Sequence, residues 1–327
     1  MGSRSRHRLV GVAGALAAVL SCAFVTGAPA ERTKVVLDTD IGSDIDDAWA
    51  LAFVLAHPGF DLVGVTITDG DTAARAKVAC KLLHIAGRDD VPVAVGRATK
   101  VPADRIDHQF EWAEDFTAKR PGAQTAADFL VETAKASPGQ ITLIAVGPLQ
   151  NVADALRKES GLPHLWKRVV LMSGCVYGTA TNKKPIPEWN VVSATADAQL
   201  VYAAGLPITI VPLDATTLVQ LKDEERARLR VHPTPLTTAL ESLYRLWLES
   251  PTTRMTLHDQ LAVAEAARPG EFFLDRKTLP IRVDDDGYTR IDARGKPTSI
   301  CLQPKRDEFM GYYLDTLIKQ RLGLPAR

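Results

Sequence analysis

VVLDTDIGSDIDDAWALAFVL, residues 35–55, carries five aspartates within ten positions: Asp38, Asp40, Asp44, Asp46 and Asp47. Val35, Val36 and Leu37 read as a short buried strand, because the run is apolar and rich in β-branched residues. Gly42 breaks it, and residues 46–55 read as a helix with an apolar face. In an open α/β sheet, ligands bind in the crevice beyond the carboxyl ends of the strands, and this run puts its acids there. Helix capping accounts for one or two of them. Ser43 followed by Asp46 resembles a capping box, and an acid in a first helical turn contributes ~0.3–1 kcal/mol. Five like charges repel and raise one another's pKa. A hard divalent cation resolves the conflict, since Ca2+ takes about six to eight oxygen ligands from carboxylates, carbonyls and water.

The run is not an EF-hand loop. Counted from Asp38, the sixth position is Ser43 where Gly is required, and the twelfth is Trp49 where Glu is required. Asp38 and Asp40 have the DxD spacing of haloacid dehalogenase-type phosphatases. Ile41, Gly42 and Ser43 follow, where that family carries Thr or Val and then an apolar residue.

The chain has 327 residues, with 39 basic and 39 acidic side chains and no net charge. That balance gives no reason to expect a nucleic-acid polymer or a membrane surface as partner. The first thirty residues differ from the rest. Arg4, Arg6 and Arg8 precede an uncharged apolar run over 9–20, and small residues follow at 26–30. This is the layout of a secretory signal, so 1–30 is expected to be a signal peptide cleaved after Ala28 or Ala30. The mature chain, 31–327, is then extracytoplasmic and has no membrane span. Lipidation at Cys22 is a second route to the same compartment. The apolar core is too short to span a bilayer comfortably. Four cysteines without a CxxC pair make neither a disulfide framework nor a cysteine-based zinc or redox site.

Strand-like and helical runs alternate along the mature chain. Strands are expected at 35–38, 62–68, 91–95, 141–146, 169–172 and 208–212. Helices are expected at 46–56, 72–86, 126–135, 149–158 and 194–204. Alternation of this kind predicts an α/β fold with a mostly parallel central sheet flanked by helices. From about 218 the chain reads as helical, then as a short strand pair near 279–283 and 299–302, then as a helix over 307–321. No linker rich in Gly, Ser or Pro interrupts it, so one domain is expected.

Three further segments carry candidate chemistry. At 141–156 a β-branched strand turns through Gly147-Pro148 into a helix. The bland reading is a strand-to-helix turn; the other is that the Val146 carbonyl points off the strand end, where a cation needs oxygen. At 182–190, Glu188, Trp189 and Asn190 lie in a Pro-bounded loop. A carboxylate and an amide beside a ring suit a polyhydroxy ligand, and a plain surface loop is equally open. At 257–262, Asp259 opens a helix, as an N-cap or as one more acid for the metal. His258 beside it is a packed histidine or an acid near neutral pKa.

Taken in order, these blocks resemble the inosine-uridine-preferring nucleoside hydrolase family. Its DTDPG and DD pair stand here as Asp38-Thr39-Asp40-Ile41-Gly42 and Asp46-Asp47-Ala48. Gly147–Asn151, GPLQN, is similar to its GPLTN, and Met172-Ser173-Gly174 to its MGG. Glu188-Trp189-Asn190 is similar to its EFN, with Asn182 upstream at the family's spacing. The run 211–216, VPLDAT, is similar to its VPLDVT, and His258-Asp259 to its HD. The resemblance spans about 34–320.

It implies a nucleoside-hydrolase-like fold and cleavage of the N-glycosidic bond of ribonucleosides by a calcium-activated water. The implied metal ligands are Asp40, Asp47, Asp259 and the Val146 carbonyl, with Asp40 also taking a proton from the water. Asp46, Met172, Asn182, Glu188, Trp189 and Asn190 would line the sugar, and His258 would protonate the leaving base. Asp71 stands where many members have Asn, which puts a carboxylate in place of a hydroxyl-binding amide. Asp44-Ile45 lengthens the loop before the DD pair by two residues, which makes Asp44 an alternative to Asp46 at the sugar. His108 is the nearest match to the family's early histidine block, and it is a poor one. Trp112, Trp189 and Tyr177 are open both to stacking on a base and to ordinary packing. Two other classes remain: an extracytoplasmic nucleoside- or sugar-binding protein without turnover, and a metal-dependent phosphatase. Base specificity and a homo-oligomeric state are not legible.

Overall fold

The computed structural model describes residues 1, 2, 31–101, 107–248 and 253–320. The chain divides into 1–31 and 32–327, and all elements below belong to the second unit. Apart from Met1 and Gly2, the expected signal segment and Cys22 lie outside the described residues.

The expected alternation is present. Strand β1 (Thr33–Thr39) leads to α1 (Asp46–Ala56), β2 (Phe60–Ile67) to α2 (Thr72–Ile85), and then comes β3 (Val93–Val95). Helix α3 (Ala126–Ala136), β4 (Thr142–Ala145), α4 (Gln150–Lys158), β5 (Arg168–Met172), α5 (Trp189–Val192), α6 (Thr195–Ala203) and β6 (Ile208–Val211) follow. Helices α7 (Leu213–Thr216), α8 (Asp223–Arg230), α9 (Pro235–Trp247) and α10 (His258–Ala267) come next. The described chain ends in β7 (Phe273–Val283), β8 (Thr289–Ile291), β9 (Lys296–Pro304) and α11 (Arg306–Ile318). The nine strands form one sheet in the order β3-β2-β1-β4-β5-β6-β9-β7-β8. Neighbours from β3 to β9 pair parallel, while β7 pairs antiparallel with both β9 and β8.

Successive strand residues face opposite sides of a sheet, and both sides here are apolar. Val35 and Leu37 join one core with α1, α2, α9, α10 and α11. Val36, Leu143, Val169 and Leu171 join the other with α3, α4 and α6. Helix α1 departs from the expected single apolar face: all eleven of its residues are buried. It packs between the sheet and α9, α10 and α11, so its acids cannot reach bulk solvent sideways. The antiparallel end of the sheet is also longer than expected, because β7 extends to eleven residues and β8 was not anticipated. Among the described residues no helix is long and apolar enough to cross a membrane.

Candidate active site

From the boundary between β1 and β4 the strands run outward as 1-2-3 on one side and 4-5-6 on the other. Connections therefore leave β1 and β4 in opposite directions, which opens a crevice between their carboxyl ends. Asp40 follows β1 and Val146 follows β4, so the crevice lies between these two residues. Gly147 makes their approach feasible: a Cβ there would come 2.7 Å from Asp40 Oδ1 and 2.9 Å from the Asp40 nitrogen. A cavity of about 830 Å3, lined by His57, Asp61 and Tyr312 among others, lies at the amino ends of the strands and contains none of these acids.

Two helix amino termini meet at the crevice. Asp46 and Asp47 occupy the first turn of α1, and Asp259 occupies the first turn of α10. Capping does not account for them. The α1 N-cap is Ile45 without a side-chain cap, and the α10 N-cap is Leu257. Ser43, expected in a capping box, instead donates to Asp107 Oδ1 at 2.7 Å. Asp46, Asp47 and Asp259 are all buried, and one carboxylate oxygen of each lies within 4.8 Å of the others. Asp46 Oδ2 accepts from the Asp259 nitrogen at 3.3 Å, and Asp47 Oδ1 accepts from Thr39 Oγ1 at 2.5 Å. Burial, and then the neighbouring carboxylates, push all three well above the usual carboxylate range. Asp38 lies at the base of the crevice, where burial raises it to about 7 although Thr66 and Asn151 donate to it at 2.5 and 2.8 Å. Converging oxygen donors with no adjacent Cys or His pair fit a hard divalent cation, whose charge would offset this repulsion.

The expected residues fall into two groups. Asp40, Asp46, Asp47, Asp259, Val146, Met172, Glu188 and Asn190 are buried along the strand ends. Asn190 links several of them, donating from Nδ2 to the Val146 carbonyl at 2.6 Å and the Met172 carbonyl at 3.1 Å. Trp189 and Asn190, expected in an irregular loop, lie in a helix, and Glu188 ends the loop. It is the N-cap of the short helix α5, accepting from the Asn190 nitrogen at 2.7 Å and from the Gly174 nitrogen at 2.9 Å. Burial raises its carboxyl to about 7. His258 Nδ1 lies 2.7 Å from Thr216 Oγ1, and burial lowers the ring to about 4.

The second group is exposed and engaged locally. Asp71 caps α2, accepting from the Ala74 nitrogen at 3.0 Å. Asn182 Oδ1 accepts from the Lys184 nitrogen at 3.1 Å within its own loop. Trp189 and Tyr177 are 47% and 44% exposed. Asp44 is exposed on the loop yet near enough that its carboxylate helps raise Asp46, which sits inside the acid group. His108 is exposed in a 3-10 turn.

Four residues at the crevice were not anticipated. Arg75 on α2 is fully buried, with Nη2 3.9 Å from Asp40 Oδ2. Gln109 donates to the Ser43 and Asp44 carbonyls at 2.9 Å each. Gln260 donates to the Asp46 carbonyl at 2.8 Å. Asn151 holds Asp38 and the Ile67 carbonyl together. Of these only Asn151 left a trace in the sequence, as the last residue of the GPLQN turn.

Comparison with known proteins agrees with this geometry. A probable uridine nucleosidase 2 from Oryza sativa subsp. japonica is 31% identical over 80% of this chain and 81% of its own. A pyrimidine-specific ribonucleoside hydrolase from Shewanella oneidensis is 31% identical over 81% and 89%. Among solved structures, a plant nucleoside hydrolase superposes with a TM-score of 0.78 at 22% identity, covering 88% of this chain and 99% of the other. The family profile described as inosine-uridine preferring nucleoside hydrolase matches residues 35–311. With that match over most of its length, the chain belongs to the inosine-uridine preferring nucleoside hydrolase family of N-glycosyl hydrolases.

Proposed function

We propose that this protein hydrolyses the N-glycosidic bond of ribonucleosides to free base and ribose, with Ca2+ held by Asp40, Asp47, Asp259 and the Val146 carbonyl. The observation that carries the reading is the buried convergence of Asp46, Asp47 and Asp259 at the crevice between β1 and β4. Bound there, the ion supplies a positive charge that offsets the carboxylate repulsion and makes a coordinated water easier to deprotonate.

The chain's own groups do the rest. Asp40 takes the proton of the attacking water. Asp46, Glu188 and Asn190 grip ribose hydroxyls, which fixes the anomeric carbon and favours an oxocarbenium-like sugar, as in glycoside hydrolysis generally. Asn190 reaches sugar and metal site together, since its amide already bonds the Val146 carbonyl. His258 faces the leaving base. Its ring is neutral at neutral pH, so it helps the base depart by hydrogen bonding or by a proton gained after substrate binds, worth ~10²–10⁴-fold for a positioned acid. Uridine is the first substrate to try, because several relatives are named for uridine or pyrimidine nucleosides.

The test is incubation with a nucleoside panel, reading free ribose, before and after chelation and after returning Ca2+ or Zn2+. Release of ribose that chelation stops and Ca2+ restores better than Zn2+ is expected. A folded protein that binds nucleosides and releases no ribose would favour the binding-protein reading instead.

A further inference from the structure

The loop from Asp40 to Asp47 has a framework around it that a strand-end turn does not need. Arg75 reaches it from α2 with its side chain fully buried. All three guanidinium nitrogens are engaged. Nε donates to the Asp69 carbonyl at 2.8 Å, Nη1 to the Ile41 carbonyl at 3.1 Å and also to the Asp40 carbonyl, and Nη2 to Ser43 Oγ at 2.9 Å. Nη2 also lies 3.9 Å from the carboxylates of both Asp40 and Asp69. Asp69 adopts a left-handed φ of 59°, uncommon for a residue other than glycine, and its carbonyl is the one that meets Nε. From the other side, buried Gln109 donates to the Ser43 and Asp44 carbonyls, and the Phe110 ring fills the space a Cβ on Gly42 would need. Gly42 has φ +117°, so a side chain there would be excluded twice over.

Taking a guanidinium out of water costs several kcal/mol, and apolar packing of the same volume is often no worse for stability. A buried arginine that binds the main chain of a proposed metal ligand is therefore better explained by the geometry it imposes than by stability. Its planar fork matches three carbonyls and a hydroxyl at fixed angles, which lysine cannot do.

We propose that Arg75 is a positioning residue for the metal site. Its fork, with Gln109 as the opposing clamp, holds the 41–45 loop so that Asp40 and the Asp46-Asp47 pair present their carboxylates to one ion. The proposal rests on the calcium reading above. Arg75 acts through Asp40 and the main chain of the loop.

The test uses Arg75→Lys, Arg75→Met and Gln109→Ala in the chelator-stripped chain. Ca2+ affinity is measured by titration calorimetry, kcat and KM separately on uridine, and folding by melting temperature. Partners that orient metal ligands are typically worth about 10–100-fold in metal affinity. Both Arg75 variants are expected to weaken Ca2+ by at least about tenfold, with Lys failing to rescue because it keeps the charge and loses the fork. Gln109→Ala is expected to weaken Ca2+ by a smaller factor while remaining folded. At saturating Ca2+, kcat should stay reduced and KM should change little. A purely structural Arg75 would lower the melting temperature and leave the Ca2+ affinity of the folded protein within about twofold of wild type, and that overturns the proposal. If neither Arg75 variant folds, an unchanged Ca2+ affinity in Gln109→Ala overturns it instead. Wild-type protein that binds no Ca2+ would overturn the calcium reading, and this inference with it.

Discussion

The loop from Asp40 to Asp47 and the segment from Tyr177 to Asn190 border the same strand ends and are built in opposite ways. The first is mostly buried and tied from three sides, by Thr39, Arg75 and Gln109. The second runs through exposed Thr181, Asn182, Lys183 and Lys184, and Asn182, Lys183 and Lys184 bond within the segment, to Thr179, Ala180 and Asn182. Its two ends are anchored: Tyr177 and Gly178 donate to Asp214 and Ala180 to Thr217 at the start, and Glu188 and Asn190 bond the carboxyl ends of β4 and β5 and the turn that follows. The difference separates two tasks. Converging like charges must be held together before any ligand arrives, and that requires a rigid shell. Groups that cover a sugar and a base can be set on a loop that adapts. Rate should therefore depend on the first region and substrate affinity on the second.

Asp40→Asn is the strongest way to break this comparison. It removes the proposed proton acceptor and weakens a proposed metal ligand at once. The kcat should fall by at least ~10²–10⁴-fold, the usual worth of a positioned acid or base. The variant should still fold, because the loop is held through the Asp40 carbonyl, which the substitution keeps. A kcat near wild type would mean that the buried acids do not perform the reaction.

Trp189→Ala, in the exposed segment, sharpens the comparison from the other side. A ring stacked on the base contributes about 0.5–1.5 kcal/mol beyond its area. KM on uridine should rise about 2–12-fold with kcat little changed. A fall in kcat with an unmoved KM would place Trp189 in the chemistry and erase the division of labour.

The two regions also differed in how legible they were. The strands of the parallel sheet and the acid run could be read directly, because strands buried on both faces give continuous apolar runs. The acids stood out because no capping pattern uses five. Arg75 could not be read: an arginine in a helical stretch carries no local sign of burial, and its partners lie more than thirty positions away in Asp40 and Ile41. Gln109 is hidden for the same reason, 66 residues from Ser43. The Pro-rich spacing of 182–190 suggested a loop throughout, and the α5 turn depends on Glu188 capping it, which a four-residue helix does not announce. Asn182 and Asp71 were placed at the sugar by resemblance, whereas each makes a short-range turn or cap of its own. Strand β8, three residues between turns, is too short to show a period.

The central claim is that the crevice is a cation site whose acids are held together against their charge. Its most direct test is the melting temperature of the chain between pH 5 and 8, chelator-stripped and then with saturating Ca2+. Asp38 and Glu188 are each raised to about 7, and Asp46, Asp47 and Asp259 are also raised. A carboxyl with a raised folded pKa contributes stability that is fully present below its unfolded pKa. That stability is lost as pH rises toward the folded pKa, because the unfolded chain sheds its protons first. The stripped protein should thus lose melting temperature as pH rises from 5 to 8. Ca2+ binds the ionised acids, so its stabilisation should grow over the same interval and reverse the slope. A slope that Ca2+ leaves unchanged would contradict the account.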